Sequence, residues 1–139
     1  MPTQKELDQC YMGVALLHAK LSKAKRKQVG SCLVTTQGSI VPGVNGFPSG
    51  MSNTCEDMMW NTKPEVIHSE LNSIIRCARN GISCIDAILY VTLSPCIHCA
   101  SLIIQSGIKE VVYLEEYRST EGIDFLKSAG IMVRQITLE

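Results

Sequence analysis

The C-terminal half of the sequence alternates between two hydrophobic periodicities. Short apolar runs rich in β-branched residues predict strands, and segments with apolar residues at helical spacing separate them. The predicted order is strand 86–93, helix 97–106, strand 110–114, helix 120–129 and strand 131–138. Strand–helix–strand alternation favours parallel strands that are covered by helices. We therefore expect an α/β fold whose parallel strands lie at the C-terminal end.

The N-terminal half predicts a helix, a strand pair and a long loop. Thr3 and Glu6 match a capping box at the start of a helix over residues 4–21. Residues at helical spacing predict one buried stripe on this helix, namely Leu7, Cys10, Tyr11, Val14, Leu17, His18 and Leu21. The elements that follow are strand 29–35, strand 39–41, irregular loop 42–57 and helix 67–79.

Length and charge narrow the class of protein. The 139 residues fit one domain, residues 1–139. Thirteen basic and thirteen acidic residues cancel, which argues against a nucleic-acid partner. No apolar run approaches the ~18 residues of a membrane span, and the polar N-terminus lacks the apolar core of a signal peptide. We therefore expect a cytoplasmic protein (host cytoplasm if phage-encoded) with no membrane partner.

The seven cysteines do not predict a disulfide framework. An odd number in a reducing compartment favours small buried thiols for most of them. Cys96 and Cys99 differ, because their spacing suits a metal ion. Pro95 is expected at the first helical position, which would place both thiols on one face of the first turn. Free backbone N–H groups at a helix N-terminus favour thiolates there.

A histidine and a carboxylate complete the candidate site. His68-Ser69-Glu70 stands at the start of the helix predicted over 67–79. One imidazole and two thiolates supply three zinc ligands and leave the fourth tetrahedral position for water. Glu70 is expected to take a proton from that water, pass it to a ring nitrogen and later protonate a leaving amine. H-x-E followed by P-C-x-x-C is an established pattern of zinc deaminases.

Each motif taken alone has an alternative interpretation that does not involve zinc. A C-x-x-C pair can be a redox pair, and H-x-E alone is a weak hint. The two motifs in this order, with a proline and a strand before the first cysteine, favour zinc. His98 lies two residues from Cys96 and should face elsewhere on a helix. His18 is interpreted as a packed or surface histidine.

Residues 20–117 resemble the cytidine and deoxycytidylate deaminase superfamily, and most closely its deoxycytidylate (dCMP) deaminases, including phage-encoded ones. The segments that carry the resemblance are SKAKRKQVGSCLV, GVNGFPSGMSNTCED, HSELNSIIRCARNG, YVTLSPCIHC and SGIKEVVYLEEY. The resemblance implies a three-layer α/β/α fold with a central mixed sheet of about five strands. It also implies one zinc per chain, held by His68, Cys96 and Cys99, with Glu70 as proton shuttle.

The resemblance further implies residues that bind substrate and effectors. Asn45 would contact the sugar, Tyr117 the substrate, and Ser22 and Arg26 the 5′-phosphate; guanidinium and hydroxyl donors suit a phosphate. The family is typically a homohexamer that dCTP with Mg²⁺ activates and dTTP inhibits. The positions that match regions tied to this control are Gly43, Gly46, Phe47 and Arg79. For the glycine-rich loop, an ordinary surface turn remains an alternative.

The sequence departs from the family at several positions. Some phage members hold a second, structural zinc, but other residues occupy its ligand positions here, namely Ala24, Thr54 and Val66. Cys55 and Cys77 are therefore expected to be unliganded. Val44 and Arg76 also replace family residues, which bears on the effector response.

The leading functional hypothesis is hydrolytic deamination of dCMP to dUMP and ammonia, which supplies dUMP for dTMP synthesis. Another cytosine nucleotide or nucleoside, such as dCTP or cytidine, is an alternative substrate, as are guanine and tRNA adenosine. Two phenylalanines and one tryptophan are few aromatic side chains for stacking on a nucleic-acid strand. A non-catalytic zinc-containing nucleotide-binding module is the alternative from a different class.

Overall fold

A computed structural model describes all 139 residues. The elements, in chain order, are α1 (Gln4–Ala19), β1 (Gly30–Val34), β2 (Ile40–Val44), α2 (Ser69–Arg79), β3 (Ile88–Leu93), α3 (Ile97–Ser106), β4 (Glu110–Glu115), α4 (Glu121–Ser128) and β5 (Met132–Gln135). Every predicted helix and strand is present, with differences at the ends. None of the helices combines the length and the apolar character that crossing a bilayer requires.

The five strands form one mixed sheet in the order β2-β1-β3-β4-β5. β1 is antiparallel to both β2 and β3, whereas β3, β4 and β5 run parallel. The parallel pairs are joined by α3 and α4, as the strand–helix–strand alternation predicts.

Helices cover both faces of the sheet. α1 packs alone on one face, where Met12 and Ala15 contact Cys32 and Tyr90. The other three helices pack on the opposite face over a larger apolar cluster, which includes Cys77 of α2, Ile103 of α3 and Leu126 of α4. These layers confirm the predicted three-layer α/β/α fold.

The buried stripe of α1 differs from the predicted one. Its fully buried residues are Asp8, Met12, Ala15 and Ala19, whereas Leu17 and Leu21, assigned to the stripe, are exposed. The reason is the close approach of α1 to β1 at Gly30. A Cβ atom at Gly30 would collide with the carbonyl oxygen of Ala15, so at this point of the contact the helix carries only the small side chains of Ala15 and Ala19.

The second strand is longer than the predicted strand 39–41 and includes the start of the predicted loop 42–57. Pro42 and Gly43 pair with Cys32 and Ser31 of β1. Gly43 is therefore a buried strand residue, and a Cβ atom there would collide with the carbonyl oxygen of Ser69 at the start of α2. The irregular segment begins only at Asn45.

A buried polar network ties the N-terminal helix to the last strand. Both Arg134 guanidinium N–H groups donate to Asp8, at 2.9 and 3.1 Å, and the Tyr90 hydroxyl donates to the same carboxylate at 2.6 Å. Arg134 also donates to Glu110 at 2.5 Å. Burial alone would raise the pKa of Asp8, but hydrogen bonds from Arg134, Tyr90 and Gln4 outweigh burial and hold that pKa below its usual value.

Glycine-to-alanine substitutions test the close packing of α1. Gly30→Ala should lower the free energy of unfolding by about 1–3 kcal/mol, because α1 must move away from the sheet. Gly13 is the matched control, since it lies in α1 with open space around its Cβ position. Gly13→Ala should raise stability by up to about 1 kcal/mol through helix propensity. Chemical denaturation measures both, and equal effects would contradict the packing argument.

Replacing Asp8 tests the buried network through its pH dependence. Asp8→Asn should cost about 2–3 kcal/mol of unfolding free energy at pH 7, since charge-assisted bonds to Arg134 are lost. A lowered carboxyl pKa stabilises the fold above the unfolded value of 3.8 and loses that contribution as pH falls through the folded value. The difference between the two proteins should therefore shrink below about pH 4. Denaturation at pH 7 and pH 3 measures it; a constant difference would contradict the charged role of Asp8.

Candidate active site

Two helices begin at the same place in the molecule. His68 is the residue that precedes α2, and Cys96 is the residue that precedes α3. Both have extended backbone conformations, so the helical turns start at Ser69 and Ile97. Pro95 thus lies one residue before the capping position. The prediction that it occupies the first helical position is wrong. The partial positive charges of both helix N-termini point at one region.

Hydrogen bonds fix the start of α2 on the sheet. The Ser31 hydroxyl of β1 donates to the Ser69 carbonyl oxygen at 2.9 Å and lies 2.7 Å from the Ser73 hydroxyl. The Asn72 side chain donates to the Val44 carbonyl oxygen at 2.6 Å. Because Gly43 lacks a side chain, α2 can approach the sheet this closely. The positions of His68 and Glu70 are therefore set by strands β1 and β2.

His68, Cys96 and Cys99 form a group whose ligand atoms all lie within 4.8 Å of one another. His68 Nδ1 is 3.2 Å from Cys99 Sγ and 3.6 Å from Cys96 Sγ. A tetrahedral zinc with ordinary Zn–N and Zn–S bond lengths would separate nitrogen and sulfur by about 3.6 Å. The three side chains thus fit a zinc ion, as the sequence predicts. His98 is exposed and does not belong to the group.

The pKa values of the Cys96 and Cys99 thiols shift in opposite directions. A hydrogen bond from the Cys99 thiol and another from His68 lower the pKa of Cys96 to about 3, against the effect of burial. The contact with Cys96, together with burial, raises the pKa of Cys99. The hydrogen bond to Cys96 also raises the pKa of His68, although burial opposes this. Hydrogen bonds within the group thus favour the thiolate form of Cys96, and negative charge there favours a cation at the centre of the group.

Glu70 lies beside the three candidate ligands and is nearly inaccessible to solvent, with 4% of its surface exposed. Burial raises its pKa, although its own backbone N–H and the nearby His68 oppose this effect. The Ser69 hydroxyl donates to Glu70 Oε1 at 3.3 Å. A buried carboxylate beside the three candidate ligands is placed to accept a proton and to give it up again.

A cavity of about 330 Å³ opens above these residues. His68, Glu70 and Cys96 form part of its lining, and Val29, Val66 and Leu93 contribute apolar surface. Three cationic side chains also line it, those of Arg26, Lys27 and Arg118. A flat ring between the apolar side chains and an anionic group near the cations would match this lining.

The predicted substrate residues occupy different positions relative to the cavity. Asn45, Arg26 and Tyr117 line it, whereas Ser22 does not. Ser22 is 5% exposed, and its hydroxyl donates to the Asn45 carbonyl oxygen at 2.9 Å and accepts from the Ala24 N–H. The hydroxyl therefore already has partners and supports the cavity wall from behind.

Backbone contacts hold Asn45 and Tyr117 in the wall. Asn45 Oδ1 accepts from the Val29 N–H, and its amide donates to the Lys27 carbonyl oxygen, both at 2.9 Å. The Tyr117 N–H donates to the Ser94 hydroxyl at 2.7 Å. One lone pair and one N–H of Asn45 remain for a ligand.

Several cavity residues were not singled out from the sequence, among them Lys27, Thr62, Ser94 and Arg118. Arg118 follows Tyr117, and its guanidinium lies 5.6 Å from that ring's centre. A search for cations next to predicted substrate residues would have found Arg118 and Lys27. Thr62 had no such signal, because it reaches the cavity through an irregular segment.

The residues assigned to effector control are not together in one site. Gly43 is buried under α2, and Gly46 pairs with Ile67 in an isolated bridge. Phe47 packs on an apolar cluster of Ala24, Cys55 and Val66. Arg79 lines a second cavity of about 300 Å³ at the end of α2, beside Arg76. Of the four, only Arg79 faces a cavity that could take an anion.

Comparisons with known proteins agree with this geometry. A family model described as the cytidine and deoxycytidylate deaminase zinc-binding region matches residues 5–115. The deoxycytidylate deaminase of Mus musculus is 38% identical over 145 residues, which cover 95% of this chain and 80% of the mouse protein. The enzyme of the same name from Enterobacteria phage T4 is 53% identical over 76 residues, which cover 53% of this chain and 39% of the phage protein.

Solved structures match over nearly the whole chain. The crystal structure of dCMP deaminase from the cyanophage S-TIM5, in complex with dCMP and dUMP, superposes with a TM-score of 0.92 at 39% identity and covers 97% of this chain and 100% of that chain. A tRNA:A34 deaminase structure, at 24% identity and a TM-score of 0.62, shares the fold. Family model, relatives and site geometry coincide, and the chain belongs to the cytidine and deoxycytidylate deaminase family.

Proposed function

We propose that the protein hydrolyses dCMP to dUMP and ammonia, as one zinc-dependent domain over residues 1–139. The observation that carries the proposal is the composition of one cavity. Its floor holds His68, Cys96 and the buried carboxylate of Glu70, and its wall carries Arg26, Lys27 and Arg118. Cys99 completes the group of candidate zinc ligands directly behind the floor. The cyanophage relative of similar structure was crystallised with dCMP and dUMP. A cytosine ring and a single phosphate are the two chemical groups that such a cavity would accept together.

Each residue near the metal has a separate task. Bound zinc, held by His68, Cys96 and Cys99, would supply Lewis-acid activation of water. Glu70 lies beside the ligands and would not coordinate. Its buried carboxylate would take one proton from the attacking water and give it to the ring nitrogen, and then take the second proton of the same oxygen and give it to the departing amine. Its position in the first turn of α2 keeps it two residues from His68, on the same rigid element.

The wall residues would orient the nucleotide. Arg26 lines the cavity together with Lys27 and Arg118, so a 5′-phosphate there would be bound by charge-assisted hydrogen bonds. Asn45 would use its free N–H and lone pair on the sugar, and Tyr117 would contact the substrate. Ser22 would not contact the nucleotide; its hydrogen bond to the Asn45 carbonyl oxygen would hold Asn45 in position.

Other substrates of the same chemistry fit less well. Deoxycytidine and cytidine would leave Arg26 and Arg118 without an anion, since of the three cations only Lys27 has an ion-pair partner, Glu115. dCTP would bring two further phosphates to the same wall. A non-catalytic zinc module has no need for a buried carboxylate beside an open metal position. Retention of zinc under reducing conditions would exclude a redox C-x-x-C pair.

We propose in addition that the protein is a homo-oligomer, a hexamer, that dCTP with Mg²⁺ activates and dTTP inhibits. The family resemblance alone implies the hexamer, whereas the second cavity supports an effector site, because Arg76 and Arg79 line it with Asn72 and Asn80. Two guanidinium groups suit the phosphates of a nucleoside triphosphate. We place the enzyme in the cytoplasm, where the thiols that hold zinc stay reduced.

Replacing the proposed proton shuttle tests the chemistry. Glu70→Gln should lower kcat by about 10²–10⁴-fold, because the amide cannot transfer protons. Bound zinc, measured by elemental analysis, should remain at one equivalent per chain. Glu65→Gln is the matched control, since it removes the same charge from an exposed position near the site. Normal turnover by Glu70→Gln would refute the assignment, and loss of zinc would point to a ligand role.

A substrate panel tests the proposed reaction. We expect ammonia release from dCMP with a kcat/KM at least about 100-fold above that of deoxycytidine, since the phosphate gains charge-assisted bonds. dCTP, cytidine and a tRNA complete the panel. Equal rates for dCMP and deoxycytidine would contradict a phosphate-binding wall.

The same assay separates regulation from chemistry. dCTP with Mg²⁺ should raise the rate at low dCMP concentration, and dTTP should lower it. A response to neither would refute the regulatory proposal and leave the substrate proposal intact.

A further inference from the structure

Glu56 is a buried carboxylate outside the metal site. It is 8% exposed, and no lysine, arginine or histidine nitrogen forms an ion pair with it. Burying a charge is costly unless hydrogen bonds replace its water. Glu56 must therefore be satisfied by other groups, and those groups lie in the basic segment.

One oxygen of Glu56 binds two consecutive backbone amides. The Lys25 N–H and the Arg26 N–H donate to Glu56 Oε2 at 3.0 and 2.9 Å. The chain bends at these two residues. Consecutive amides that converge on one anion resemble the backbone concavities that bind phosphate in other proteins. Here the anion is the protein's own carboxylate, so a bound phosphate must use side chains.

Glu56 also belongs to a small hairpin that reaches the cavity. It forms an isolated bridge with Thr62, and the Lys63 N–H donates to the Cys55 carbonyl oxygen at 2.8 Å. Thr62 and Arg26 both line the cavity. Glu56 therefore connects two wall segments that are far apart in sequence and have no shared secondary structure.

We propose that Glu56 is a positioning residue for the phosphate of the substrate. Its carboxylate fixes the backbone of residues 25–26, so that the Arg26 guanidinium lies in the cavity, and it couples this bend to the hairpin of residues 55–63. The inference rests on the proposed function, because it assumes a phosphorylated substrate. The side chain of Glu56 forms hydrogen bonds with Lys25 and Arg26 and with none of the metal ligands or Glu70, so its effect should fall on nucleotide binding and not on the chemical step.

The experiment compares Glu56→Gln and Glu56→Ala with wild type on dCMP and on deoxycytidine. Glu56→Gln keeps the acceptor oxygen but loses the charge, so KM for dCMP should rise about fivefold. Glu56→Ala should raise KM for dCMP more than about tenfold. For both variants kcat on dCMP should stay within about twofold of the wild-type value. The same should hold for kcat/KM on deoxycytidine, measured where the rate is linear in substrate concentration.

Asp57→Asn is the matched control. Asp57 is the neighbouring carboxylate, is exposed, and accepts from the Met59 and Asn61 N–H groups within the same hairpin. Asparagine retains that turn interaction while removing the same charge. This variant should keep the wild-type KM for dCMP, which separates the position of Glu56 from a general effect of charge.

Two measurements do not depend on turnover. Calorimetric titration of the zinc-loaded protein with dUMP should show the same loss of affinity as the rise in KM. Amide hydrogen exchange at Lys25 and Arg26 should accelerate in both Glu56 variants. Unchanged dUMP affinity, or an equal loss of activity on dCMP and deoxycytidine, would overturn the inference. Failure of wild type to deaminate dCMP would instead refute the proposed function, and the dUMP titration would still decide the role of Glu56.

Discussion

The site depends on the close contact between the start of α2 and the sheet. A side chain at Gly43 would collide with the Ser69 carbonyl oxygen, and the Ser31 hydroxyl holds that same oxygen. The collision limit and the hydrogen bond together fix the distance between α2 and the strands β1 and β2. His68 precedes the helix and Glu70 lies in its first turn, so this contact also sets the position of one metal ligand and of the carboxylate.

A second contact of the same kind fixes the thiols. Gly122, in α4, has no space for a Cβ atom because the Pro95 carbonyl oxygen occupies it. α4 thus presses on the turn between β3 and α3, from which Cys96 projects. Two glycines in distant parts of the chain thereby bring the two helix starts together. Metal ligation then needs little reorganisation, which favours tight binding in a rigid geometry.

Local sequence patterns predict the order of strands and helices and the metal-binding side chains, but not the contacts between elements that are distant in the chain. The alternation of strands and helices and the two short motifs are local patterns, so they predict the α/β fold and the three side chains that can hold zinc. The buried face of α1 could not be predicted, because it is determined by the absence of a side chain at Gly30 on another element. The buried position of Ser22 depends on the course of the loop at Asn45, which no periodicity encodes.

The metal site and the cavity wall are therefore held by different means. Helices and strands fix His68 and the two cysteines, whereas most polar wall residues come from irregular segments that depend largely on side-chain-to-backbone bonds. Ser22 bonds the carbonyl of Asn45, Asn45 bonds Val29 and Lys27, and Ser94 bonds Tyr117. Each such bond contributes only about 1 kcal/mol. The wall can consequently change between relatives without moving the zinc ligands, so substrate choice can vary while the chemistry stays the same.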